Sequence, residues 1–167
     1  MKTLLLLAVL TALAPTTACT QASRTATRTV PKVLRVRAYL FENKTAKWSD
    51  DVLDPMYAGL INTVAGSDAS NATLVVVQLS GEPGGTYTGH FGPDTKYVVR
   101  LVAREAERSA PLIDQSQVIP VLNAEGQVTV AFLLHQDGCK SIRLSATVVG
   151  IETSKPVEQS LNFICRE

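Results

Sequence analysis

Asp50, Asp51 and Asp54 form the only acidic cluster in the 167-residue chain, and paired or clustered carboxylates are the usual raw material of calcium sites and general acid–base work. Calcium takes six to eight oxygens, and no second Asp-rich loop exists to supply the remainder; Asp114 and Asp137 stand alone. The cluster reads instead as a helix cap with acids in its first turn, where the dipole favours them. His90 lies in Thr88-Gly89-His90-Phe91-Gly92 and His135 lies just before Asp137-Gly138. Neither has a His, Cys or Glu at zinc-ligand spacing. There is no Gly-x-Ser-x-Gly elbow, no Gly-rich phosphate loop and no Cys-x-x-Cys pair. No catalytic residue, metal site or cofactor is therefore expected, and the chain reads as a non-enzyme.

Charge and composition narrow the partners. Sixteen basic residues against fifteen acidic ones leave a formal net charge of +1, without the basic excess that nucleic-acid binding requires. The charges are segregated: Cys19 to Phe41 holds Arg24, Arg28, Lys32, Arg35 and Arg37 and no acid, whereas the rest is mildly acidic. The sole tryptophan, Trp48, stands beside Asp50 and Asp51. A lone Trp in a loop serves either as an interface anchor or as a plug at the end of a sandwich. Trp48, Asp50 and Asp51 are accordingly the candidate contact residues for a protein partner.

Export is written at the N-terminus. Met1-Lys2-Thr3 precedes the apolar run 4–14 and the small residues of Ala14-Pro15-Thr16-Thr17-Ala18-Cys19, the layout of a secretory signal peptide. The run is short of the roughly 20 apolar residues that span a bilayer as a helix. Thr16-Thr17-Ala18-Cys19 resembles the lipobox of bacterial lipoproteins, with Ala18 fitting the residue before the Cys and Thr16 departing from the usual Leu. The resemblance implies cleavage after Ala18, lipidation of Cys19, and an outer-membrane lipoprotein facing the periplasm, since Thr20 replaces the Asp of inner-membrane retention. Cleavage after Ala18 or Ala22 by an ordinary signal peptidase leaves a soluble periplasmic or secreted protein instead. Lipidation uses Cys19 and cleavage after Ala22 removes it; either way Cys139 and Cys165 remain as a pair in an oxidising compartment, and a structural disulfide is expected between them.

The division expected is signal peptide 1–18, a basic Thr/Ser-rich tether 19–32, and a β-domain 33–167. Period-two alternation marks the strands of that domain. Leu34, Val36, Ala38 and Leu40 alternate with Arg35, Arg37 and Tyr39, and Tyr97, Val99, Leu101 and Ala103 alternate with Lys96, Arg100 and Arg104. Similar faces occur at Val128–Leu134, Ile142–Val148 and from Val157 to Phe163, while Leu74-Val75-Val76-Val77 is apolar on both faces. Pro120 suits an edge strand between Leu112 and Leu122. About seven short strands punctuated by Gly, Pro and Asn predict an antiparallel, immunoglobulin-like β-sandwich. One short helix is expected between the first two strands, capped by Asp54, opened by Pro55 and closed by Gly66, with Met56, Leu60, Ile61 and Val64 on its inner face. The strands before and after Asp137-Gly138 are expected to pair as a hairpin, with Leu134 opposite Ile142 and Cys139 bulged toward Cys165.

Such a domain fits a small cell-envelope lipoprotein held by its N-terminal lipid and acting as a binding or structural accessory. An accessory subunit of an envelope assembly or secretion machine is the alternative, and a secreted hydrolase with a cryptic site a third.

Overall fold

The computed structural model describes residues 30–43, 45–57, 70, 72–83, 97–106, 108–135, 140–150 and 153–163. Eight strands form two antiparallel sheets: β1 (Lys32–Glu42), β2 (Lys47–Trp48), β3 (Ala72–Ser80), β4 (Val98–Glu105), β5 (Ile113–Val118), β6 (Gln127–His135), β7 (Ile142–Val149) and β8 (Val157–Leu161). The first sheet has the order β2-β1-β3-β6 and the second β5-β4-β7-β8. Seven of the eight are the expected strands; β2, two residues long, carries no periodicity to betray it.

Alternating apolar residues converge on one core between the sheets. Val36, Ala38 and Leu40 of β1, Val75, Val77 and Leu79 of β3, and Val130, Phe132 and Leu134 of β6 face Val99, Leu101, Ala103, Leu144, Ala146, Val148 and Leu161 of the second sheet. Leu34 departs from the expected alternation. The register shifts between Val33 and Arg35, so Leu34 is a bulged residue, 53% exposed, and Val33 packs against the core in its place.

Two further expectations are corrected. The strands flanking Asp137-Gly138 do not form a hairpin: β6 pairs with β3, whereas β7 pairs with β4 and β8. Leu134 therefore lies opposite Thr73, and Ile142 lies opposite Glu105 and Leu161. Sequence neighbours usually pair, but here the chain changes sheets between them. The short helix is also absent from the described residues. Asp54 Oδ1 accepts from the Met56 amide at 2.9 Å and Asp54 O from the Tyr57 amide at 2.9 Å, which makes a turn of the expected cap. The same Asp-Pro chemistry opens helices and turns alike. Met56, expected on a buried face, is 90% exposed, and residues 58–66 lie outside the described residues.

Two glycines are required by geometry. Gly126 has φ +72° and closes the turn before β6, where its amide donates to Asn123 O and its carbonyl accepts from the Gly81 amide. A Cβ there would sit 2.5 Å from Gly81 O. Gly150, next after β7, lies under the buried Tyr97 ring, which occupies the volume a Cβ would need. An aromatic laid over a glycine at a strand end protects the backbone that the missing side chain exposes. Gly150→Ala is expected to destabilise by about 1–3 kcal/mol through overpacking, measured by urea denaturation, with an unchanged m-value showing that the fold persists.

Candidate functional site

The outer faces of the two sheets differ in kind. On the second sheet the outward residues are mostly polar: Arg100 and Arg104 of β4, Asp114 and Ser116 of β5, Arg143, Ser145 and Thr147 of β7, and Glu158 of β8. Arg100 grips Asp114 by a two-pronged ion pair at 2.6 and 2.5 Å. That hydrogen bonding, with smaller help from the charges of Arg100 and Arg104, holds the Asp114 carboxyl below the usual carboxylate range against a counteracting desolvation. A groove of about 270 Å³ runs beside Arg104, Glu105, Arg108 and Arg143, with Glu105 Oε2 3.0 Å from Arg108 Nε and 3.9 Å from Lys140 Nζ. Glu105 Oε2 is buried and has no hydrogen-bond partner among the described residues, so the 3.0 Å approach is an ion pair.

The first sheet turns apolar side chains outward. Cross-strand register builds the rows Tyr39–Leu74–Leu133 and Arg37–Val76–Ala131, with Arg35–Gln78–Thr129 as the polar row below them. Above them Phe41 pairs with Trp48 on β2. The two rings meet edge to face at 5.2 Å between centroids and 66° between planes, a contact worth about 0.5–1.5 kcal/mol beyond its buried area. Trp48 is 43% exposed and Leu133 44% exposed. Trp48 thus lies on the outer face and does not plug the end of the sandwich. Within this face the Nε of Arg37 is buried and has no hydrogen-bond partner among the described residues. Trp48 and Leu133, both exposed, thus flank the half-buried outward side chains of Tyr39, Leu74 and Val76.

The neighbouring aspartates do different work. After Trp48 the chain runs along the edge of β1 and satisfies that edge with side chains as well as backbone. Ser49 Oγ accepts from the Leu40 amide at 2.9 Å, and Leu40 O accepts from the Ser49 amide at 2.9 Å. Asp51 Oδ1 accepts from the Ala38 and Leu53 amides, both at 3.1 Å, while Ala38 O accepts from the Val52 amide at 2.8 Å. Asp51 Oδ2 takes the Arg35 guanidinium at 3.3 Å, and Asp54 lies 3.7 Å from the same nitrogen. The Asp51 carboxylate is only 14% exposed and is committed inside the fold. Asp50 remains exposed and lines an open depression of about 420 Å³ with Asp51, Asp54, Met56 and Tyr57.

Of the sequence-derived site residues, Trp48 and Asp50 are therefore at the surface and Asp51 is a structural brace. His135 is exposed at the end of β6, and His90, Cys19, Cys139 and Cys165 lie outside the described residues. Among the described residues no three His, Cys, Asp or Glu side chains converge on a common metal position. The rows Tyr39–Leu74–Leu133 and Arg37–Val76–Ala131 were signalled only by the doubly apolar Leu74–Val77 run; the participation of Tyr39 and Leu133 needed the register. No family model matches the chain, and no curated protein or solved structure matches it.

Asp51→Ala strips an acceptor from two backbone amides and is expected to cost about 1–3 kcal/mol in thermal or urea unfolding. Asp50→Ala is expected to fall within about 0.5 kcal/mol of the parent, as surface changes do.

Proposed function

We propose that the protein is a small cell-envelope lipoprotein that binds a partner and catalyses nothing, anchored to the membrane through a lipid on Cys19. The observation that carries this reading is the apolar outer face of the first sheet, headed by the Trp48–Phe41 pair. Its position relative to the anchor supports the reading. The tether joins the body at the start of β1, and Phe41 stands nine residues further along that strand, about 30 Å away. An anchored module of this plan presents Trp48 at the end remote from the bilayer, toward whatever the envelope holds there. An outer-membrane location facing the periplasm follows from the lipobox-like residues.

The body belongs, in this reading, among the immunoglobulin-like sandwiches. Taking β1, β3 and β6 as strands A, B and E, and β5, β4, β7 and β8 as C′, C, F and G, reproduces the neighbours of that topology, with β2 as an addition. In this reading Cys139 pairs with Cys165 in a structural disulfide. Both cysteines lie outside the described residues; in sequence Cys139 precedes β7 by three residues and Cys165 follows β8 by four, and Ile142 lies opposite Leu161 where those two strands pair. Closing that 27-residue loop stabilises by about 3.5 kcal/mol in the loop-entropy model. Non-reducing peptide mapping of the exported protein is expected to recover the Cys139–Cys165 cross-link; two free thiols would reject it.

Cross-linking in intact cells tests the functional reading. The wild type is expected to give a discrete adduct with a second protein, and Trp48→Ala to lose it while keeping the wild-type melting temperature. Cys19→Ser is expected to release the body in soluble form, with the intact mass of the wild type carrying acyl chains. An adduct indifferent to Trp48, or an unmodified mature N-terminus, defeats the corresponding half of the proposal.

A further inference from the structure

Four strands close the edges of the two sheets, and they are not equally guarded. At the β1 side, β2 is two residues long and the chain beyond it caps the β1 backbone with Ser49 and Asp51. On the second sheet β5 carries Asp114 and is followed by Pro120, and β8 is five residues long, carries Glu158 and is preceded by Lys155 and Pro156. Shortness, charge, proline and side-chain covering are the devices by which natural sheets prevent edge-to-edge pairing. Among the described residues neither shortness, charge nor proline protects β6, and side-chain covering reaches it only at Gln127, through Asn123, and at Ala131 O. That strand runs nine residues, Gln127–His135, in unbroken register with β3, and contains no Lys, Arg, Asp, Glu or Pro.

One contact shows which backbone groups β6 turns outward. Gln117 Nε2, on the other sheet, donates to Ala131 O at 2.8 Å, so that carbonyl points away from β3. Alternation along an antiparallel ladder then aims the amides and carbonyls of Thr129, Ala131 and Leu133 at the free edge. Among the described residues the Gln117 amide caps Ala131 O, and Asn123 takes both the amide and the carbonyl of Gln127 at the start of the strand, which leaves Thr129, Leu133 and the Ala131 amide for pairing.

We propose that the free edge of β6 is a dimer seam, closed by β6 of a second copy of this chain in antiparallel pairing about a two-fold axis at Ala131. The self-pairing is chemically consistent. The strand carries no Lys, Arg, Asp or Glu, so two copies meet without pairing like charges of those residues, whereas β5 or β8 would set like carboxylates near each other. The axis falls on Ala131, a small side chain, with Thr129 opposite Leu133 on the outer face, while Gln127, bonded to Asn123, stays outside the seam. A two-fold interface needs this self-complementarity. Pairing joins the two first sheets into one eight-stranded sheet and extends the apolar rows across the seam, while the Gln117 amide releases Ala131 O to the incoming strand. The seam involves neither Trp48 nor Cys19, so it stands or falls apart from the partner-binding reading.

Sedimentation of the full exported chain carrying Cys19→Ser, which needs no detergent, reads the outcome. Twice the monomer mass is expected, in an equilibrium that shifts with protein concentration. Ala131→Pro removes one free-edge amide hydrogen without touching a β3 hydrogen bond, and is expected to give a folded monomer by circular dichroism and mass. Should that variant not fold, Thr129→Lys, which places a charge on the outward face at the seam, is expected to give the same monomer. A wild type that stays monomeric at every concentration overturns the proposal, and so does a folded Thr129→Lys that remains dimeric.

Discussion

The structure depends on β3 being apolar on both faces. Val75, Val77 and Leu79 look inward and lock the first sheet to the second, all fully buried. Leu74 and Val76 look outward and are half-covered by their cross-strand neighbours Tyr39, Leu133, Arg37 and Ala131. A central strand flanked on both sides is the one position where such a sequence is tolerable in an antiparallel sheet, because its outward residues are shielded laterally even without a third layer. The second sheet can then present arginines, serines and acids to solvent. The asymmetry between the two outer faces thus centres on β3, with Tyr39 and Phe41 of β1 and Leu133 of β6 completing it.

The treatment of the edges follows from the same economy. β1 is the other neighbour of β3, and an open β1 edge would sit beside the apolar rows and invite uncontrolled pairing. The chain covers it with the segment after Trp48. Ser49 and Asp51 act as substitute strand acceptors, and Arg35 neutralises the Asp51 carboxylate from the outer face. Trp48 is fixed by this arrangement, since β2 and the Ser49–Leu40 bonds hold it over Phe41. What looks in sequence like an acidic recognition loop is largely a device for finishing the β1 edge, and the exposed tryptophan is its neighbour by construction.

Strand positions were legible because a half-buried strand repeats every two residues, and Val36–Leu40, Val99–Ala103 and Ile142–Val148 repeat cleanly. Partition between sheets was not, because period two says which face is inward and nothing about which strand lies alongside. β6 and β7 have matching apolar faces and a Gly-containing connection, as a hairpin would, yet they sit in different sheets. The bulge at Leu34 was hidden for a related reason: Val33 and Leu34 are both apolar, so either can be assigned to the core until β3 fixes the register. Trp48 and Asp50 were found because their residue types are conspicuous. The broader apolar face was missed in extent because it is assembled from three strands, each contributing one or two residues at positions that only the ladder aligns.

Geometry also limits how the apolar face and the β6 edge of the first sheet can be used together. The Trp48–Phe41 pair lies at the β1 side of the sheet, while the open β6 edge lies two strands away, at roughly 5 Å per strand. The Tyr39–Leu74–Leu133 row connects them. A ligand seated flat on this row touches Leu133 without entering the β6 ladder, because side chains stand perpendicular to the sheet whereas edge amides and carbonyls lie within its plane. Face contact and edge pairing therefore draw on different atoms of the same strand. Occupying one leaves the hydrogen-bonding groups or the apolar surface of the other available, and a strand added at the edge widens the face by supplying further outward residues. The same nine residues of β6 can serve both uses because a strand presents its backbone sideways and its side chains up and down, and only the doubly apolar β3 beside it makes the upward direction worth covering.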